Sequence, residues 1–180
     1  MKKVMTILFL ALFAFLAVSA GAAEPPAKDA PAPEAAPAGP KYGAGIGDTM
    51  KPFVLSYEGK EFKSDSLKGK PTALIFMTSA CTLCRDEMKS FNDALDRFKG
   101  KANVVALCTD YDDKRIPIFK NAFKIEFPIV HDPDAKVAGS LNVMSTPVLF
   151  LLDSNNKIVS RADGYAPGSV DDLLKLVSGK

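Results

Sequence analysis

Apolar runs and mixed stretches alternate along this chain, and their spacing predicts its elements. The run 4–18 is apolar apart from Thr6, slightly short of the about 20 residues that a membrane-spanning helix needs. Over 24–45 the pattern disappears. Alanine, proline and glycine dominate there, with no aliphatic side chain larger than alanine. Such a stretch cannot bury a core, so an extended, disordered linker with polyproline character is expected. Patterning resumes near Ile46. Strand-like residues at 52–55 and 61–63 flank Glu58-Gly59-Lys60 and predict a hairpin. Residues 64–69 read as one helical turn ended by Gly69. Three runs, 72–77, 103–108 and 147–152, are apolar on both faces, as buried strands are.

Helical periods fill the gaps between these runs. Met88, Phe91, Leu95 and Phe98 recur at spacings of three and four, predicting one helix over 82–98. Arg85, Glu87, Lys89, Asp93, Asp96 and Arg97 are expected on its outer faces. Ile116, Phe119 and Phe123 predict a second helix, 127–130 a short strand and 135–141 a short helix. Residues 158–162 pair back on the preceding strand as a hairpin. Ser169 is expected to cap a last helix whose buried stripe is Val170, Leu173, Leu174 and Val177. Strands alternating with helices imply an α/β domain with a largely parallel sheet covered on both faces, plus an antiparallel pair from the closing hairpin.

Composition changes the picture at the N-terminus. Lys2-Lys3, the apolar run and the small residues 19–23 together read as a signal peptide over 1–23, cut after one of residues 20–23. An uncleaved anchor is the alternative. No cysteine follows the run, so a lipid anchor on cysteine is excluded. Export to the periplasm or beyond is the expectation, with the domain over 46–180. Removing 1–23 removes two lysines and no acid, which leaves 21 basic against 21 acidic residues. A neutral chain of this kind gives no reason to expect a nucleic-acid groove or an anionic membrane surface as partner.

The candidate chemistry lies in Ser79-Ala80-Cys81-Thr82-Leu83-Cys84, between a buried strand and a helix. A helix N-terminus carries partial positive charge and free N–H groups, so it favours a thiolate there. Cys81, at the helix start, is the expected attacking thiol. Cys84, one turn in, is the expected resolving thiol, and the pair forms a redox disulfide. In an exported chain a Cys-x-x-Cys is expected to be redox-active rather than metal-binding. Zinc would want two more ligands, and Cys108 and His131 are the only spare cysteine and histidine. Cys108 is expected to be a small buried residue in its strand, and His131 a strand-end or loop residue outside the chemistry.

These features resemble those of the exported, thioredoxin-fold thiol-disulfide oxidoreductases of the TlpA/ResA-like, AhpC/TSA-related group. The resemblance covers about residues 46–178. It rests on Gly47-Asp48 before Pro52-Phe53, on Leu67-Lys68-Gly69-Lys70-Pro71 and on Cys81-x-x-Cys84-Arg85-x-Glu87-Met88. Phe127-Pro128-Ile129, Asp132-Pro133-Asp134 and Ser145-Thr146-Pro147 complete it. It implies a thioredoxin-like fold, a central mixed sheet flanked by helices, with an N-terminal β-hairpin and a central insertion. It also implies a cis Pro147 facing the dithiol and a Thr146 backbone that pairs with extended substrate. Asp110, after the next strand, is the first candidate acid or base for Cys84, and Glu87 the second. Ala80 stands where the family usually has tryptophan, and Thr82-Leu83 where its dipeptide usually contains proline. These three residues border the nucleophile on its substrate face.

The implied partners are disulfide-containing exported proteins as substrates and a membrane-borne thiol electron donor, with no diffusible cofactor, no metal and a monomeric chain. Two other readings stay open. One is a thiol peroxidase, for which Thr78 is in place but no proline precedes it between Leu74 and Ala80. The other is a non-catalytic or copper-handling binding protein.

Overall fold

A computed structural model describes residues 44–179. The expected signal peptide and nearly all of the expected linker lie outside these residues. The elements in chain order are β1 (Val54–Tyr57), β2 (Lys60–Lys63), a 3₁₀ turn (Ser64–Leu67), β3 (Thr72–Met77), α1 (Thr82–Asp93) and α2 (Leu95–Phe98). Then come β4 (Asn103–Cys108), α3 (Arg115–Phe123), β5 (Ile129–His131), α4 (Lys136–Ser140), β6 (Val148–Leu152), β7 (Ile158–Asp163) and α5 (Ser169–Ser178). The strands form one seven-stranded mixed sheet in the order β2-β1-β5-β4-β3-β6-β7. The central insertion is α3 with β5, and it places β5 between β1 and β4.

The sheet is less parallel than the alternation of elements implies. Only β3–β4 and β4–β5 pair in parallel. The pairs β1–β2, β1–β5, β3–β6 and β6–β7 are antiparallel. The chain leaving β5 runs through residues 132–147 and stays at the end of the sheet where β5 finishes. It enters β6 from the same end, and Phe76 at the end of β3 pairs with Val148 at the start of β6. That reversal delivers Pro147 to the loop that follows β3.

Side chains of the central strands alternate between two cores. Ala73, Ile75 and Met77 of β3 face Met88 and Phe91 of α1, Phe98, Phe119 and Leu173. Leu74 and Phe76 face Leu67, Val137, Leu141 and Phe150 on the other side. Every residue of β3 is buried, and full burial is what its unbroken apolar run requires. Asp132 is also buried. Its carboxylate accepts the N–H groups of Lys136 at 3.0 Å, Val137 at 3.4 Å and Ala138 at 3.0 Å, which satisfies the first turn of α4.

Two helices differ from expectation. The helix expected over 82–98 breaks at Ala94, whose N–H bonds back to Phe91, three residues earlier. That tighter turn separates α1 from α2, yet Phe91 and Phe98 stay in contact, with ring centroids 6.2 Å apart. The last helix is not capped by Ser169. Gly168, at φ 100°, occupies the cap position, and the Ser169 hydroxyl has another partner, described below.

Lys124 ends α3 in the left-handed region at φ 52°, a conformation that costs a residue with a Cβ about 1–2 kcal/mol. The hydrogen bonds it makes are backbone ones that a glycine keeps: its N–H donates to the Asn121 carbonyl and its carbonyl accepts from the Asn92 amide. Lys124→Gly is therefore expected to raise stability by about 0.5–1 kcal/mol, after the added freedom of glycine in the unfolded chain is subtracted. Urea unfolding checks this, and a loss of stability would show that the lysine side chain holds the end of α3.

Candidate functional site

The site is built where β3 ends against the start of β6. Cys81 is the cap of α1, and its Sγ accepts the Cys84 N–H at 3.0 Å. The two cysteines are disulfide-bonded, with Cα atoms 5.2 Å apart, a normal separation for a bridge. Cys84 is fully buried, while Cys81 is half-buried and reachable. Ala80, Thr82 and Leu83 beside them are exposed.

Two further loops close on this turn. Thr146 comes from the loop before β6. Its carbonyl oxygen lies 3.5 Å from Cys81 Sγ, and its hydroxyl lies 3.5 Å from that of Thr78. The Thr146–Pro147 peptide bond is cis. Asp110 comes from the loop after β4, and its Oδ2 accepts the Ser79 N–H at 3.1 Å. So Cys81, Cys84, Thr146, Pro147 and Asp110, from three separate stretches of chain, are brought together.

Glu87 is not on an outer face. It is fully buried, one turn beyond Cys84 on the side of α1 that carries Met88 and Phe91. Its Oε2 accepts the Ala166 N–H at 3.0 Å and its Oε1 the Ser169 hydroxyl at 2.8 Å. Burial pushes its carboxyl pKa up, and these two hydrogen bonds pull part of the way back. Both oxygens are committed to the segment that starts α5, which makes Glu87 an anchor between the dithiol helix and the C-terminal helix.

Cys108 is buried in β4, and burial pushes its thiol up to about 12. It stays protonated at neutral pH and is no nucleophile. Among the described residues, no group of three or more His, Cys, Asp or Glu side chains is placed to hold a metal ion.

Some contributors carry no sequence signal. Arg161 on β7 donates to the carbonyls of Leu141 and Asn142, each at 3.0 Å, and stacks over Phe150 at 5.2 Å from the ring centroid. It thereby braces the loop that leads to Thr146. Leu83 in the first turn of α1, and Tyr111 and Met144 on the two loops that close on it, expose large apolar side chains.

The sequence model described as the AhpC/TSA family matches residues 46–161. The chain belongs to the AhpC/TSA family. Within it, thiol-disulfide oxidoreductase ResA of Bacillus anthracis is 32% identical over 121 residues, which cover 66% of this chain and 70% of that protein. Two solved structures share the fold. StoA of Bacillus subtilis superposes with a TM-score of 0.59 at 23% identity, over 71% of this chain and 97% of that one. Peroxidoxin BcpB of Mycobacterium tuberculosis superposes with a TM-score of 0.66 at 20% identity, over 74% of this chain and 96% of that one. This member of the AhpC/TSA family is a thiol-disulfide oxidoreductase of thioredoxin type, a TlpA/ResA-like redoxin. Among the described residues, no helix is long and apolar enough to cross a membrane.

Proposed function

We propose that this protein reduces disulfides in other exported proteins through Cys81 and Cys84. In the reduced form, the Cys81 thiolate attacks one sulfur of the substrate disulfide. The substrate S–S bond breaks, a mixed disulfide forms on Cys81, and one substrate sulfur leaves as thiolate. Cys84 then gives up its proton and attacks Cys81 Sγ. The internal disulfide closes, and the second substrate thiol departs. Two electrons pass from the dithiol to the substrate, so a thiol donor must return two. A membrane-borne dithiol is the donor we assign, and no diffusible cofactor is required.

The observation that carries this reading is the Cys84 N–H aimed at Cys81 Sγ from 3.0 Å at the head of α1. The same hydrogen bond stabilises the Cys81 thiolate during attack and as leaving group. Asp110 is the group assigned to accept the Cys84 proton. With Glu87 held by Ala166 and Ser169, the anchoring role falls to that residue. Thr146 and Pro147 form one lip of the substrate site, and Ala80, Thr82 and Leu83 the other. The segment 1–23 directs export and the domain works as a monomer.

The test is a paired assay of the reduced protein against insulin disulfides and against hydrogen peroxide. Disulfide reduction sustained by dithiothreitol is expected, with peroxide consumption near background. Thr78, three residues before Cys81, and the fold shared with a peroxidoxin make the opposite result informative. Rapid peroxide turnover without insulin reduction would replace this reading with a thiol peroxidase.

A further inference from the structure

We infer that His131 is a positioning residue for the dithiol, acting through Asp110 and the Ser79 amide. This rests on the reading of Cys81 as the attacking thiol. His131 closes β5 and is fixed on both sides by the sheet. Its backbone pairs with Cys108 of β4 and with Ser56 of β1. The next amide, Asp132 N–H, donates to the Cys108 carbonyl at 2.8 Å. From this rigid base the imidazole Nε2 reaches the Asp110 backbone carbonyl at 2.8 Å. A carbonyl oxygen only accepts, so Nε2 carries the hydrogen.

The Asp110 carboxylate in turn accepts the Ser79 N–H at 3.1 Å. Ser79 lies in the turn that the Cys81 N–H closes on the Thr78 carbonyl at 3.2 Å. Three consecutive contacts therefore run from the sheet to the cysteine loop: imidazole to carbonyl, carboxylate to amide, and amide to carbonyl. On the strand side the loop is already held by the Thr109 N–H, which donates to the Met77 carbonyl of β3 at 3.0 Å. Residues 111–114 are polar loop with an exposed Tyr111, so the imidazole is the strand-anchored support that acts on Asp110 itself. Without it the carboxylate shifts more easily away from Ser79. The cysteine turn then loses an acceptor on one side, and Cys81 Sγ is held less well over the N–H groups of α1.

The test measures iodoacetamide alkylation of Cys81 in the reduced full chain, at fixed neutral pH, with the labelled position read by peptide mass. Removing one hydrogen bond from the support is expected to slow alkylation of Cys81 about threefold to tenfold in His131→Phe. A glutamine amide nitrogen falls near the position of Nε2, so His131→Gln is expected to keep the wild-type rate. The asparagine nitrogen falls short, so His131→Asn is expected to slow like phenylalanine and serves should the aromatic variant fail to fold. In an Asp110→Ala background the same His131 changes should have no further effect, because the link they act through is gone. Equal slowing with and without the Asp110 carboxylate, or no slowing in either His131→Phe or His131→Asn, overturns the inference. Label appearing on Cys84 rather than Cys81 overturns the underlying reading instead.

Discussion

Cys81→Ala is expected to lower the rate of insulin disulfide reduction by about 10³-fold or more, because the whole chemical step passes through that sulfur. Cys84→Ala should fail differently. Its Cys81 can still attack, but nothing resolves the mixed disulfide, so turnover stops after one event and the substrate stays attached. On a non-reducing gel the Cys84→Ala protein should migrate as a covalent adduct that dithiothreitol releases. Cys81→Ala should form none. The burial of the two residues supports this division, since Cys84 is fully buried and Cys81 is not. Adducts on Cys84 in the Cys81→Ala protein would reverse the assignment. The third thiol should not interfere, because burial holds Cys108 protonated, with its pKa at about 12.

The parts of this site that are legible in the sequence are those written in local pattern. The all-apolar run of β3, the Cys-x-x-Cys after it and the proline heading β6 each need only a few neighbouring residues to be read. The parts that escape are set by register between distant segments. That β6 runs antiparallel to β3 is set by which end of the sheet the 132–147 connection returns to, which no strand pattern records. The contact of His131 with Asp110 depends on β5 being paired beside β4, so a lone histidine with no motif around it gave no sign of it. Glu87 is a different case, because its signal was present. It lies three residues after Cys84 and four before Phe91, on the buried stripe itself. A charged side chain there reads as solvent-facing unless a partner is known, and its partners, Ala166 and Ser169, are 79 and 82 residues away in the chain. The same long-range bond explains why Ser169, a good cap by sequence, gives its hydroxyl to Glu87 and leaves the cap position to Gly168.

Glu87→Ala is expected to destabilise the fold by about 2–4 kcal/mol, because two donors at the start of α5, the Ala166 N–H and the Ser169 hydroxyl, lose their acceptor. The loss should appear first in α5, as faster amide exchange over 169–178, since this bond joins that helix to α1. Glu87→Gln should behave otherwise. The glutamine oxygen still accepts from Ala166, and the serine hydroxyl can turn to accept from the new amide. The variant removes the charge without removing the connection, so it also isolates the pH dependence. Burial raises the Glu87 pKa above its ordinary value of 4.5, so the folded state binds the proton more tightly than the unfolded one. The stability this supplies is complete below pH 4.5 and is lost as pH rises through the raised folded value. Glutamine does not titrate. The stability of Glu87→Gln relative to wild type should therefore climb from about pH 4.5 upward and level off once Glu87 is ionised in the folded protein. Urea unfolding of both proteins across that range checks the sign. A difference that stays constant with pH would show that the two hydrogen bonds balance burial at this carboxylate, and one that falls as pH rises would show that they outweigh it.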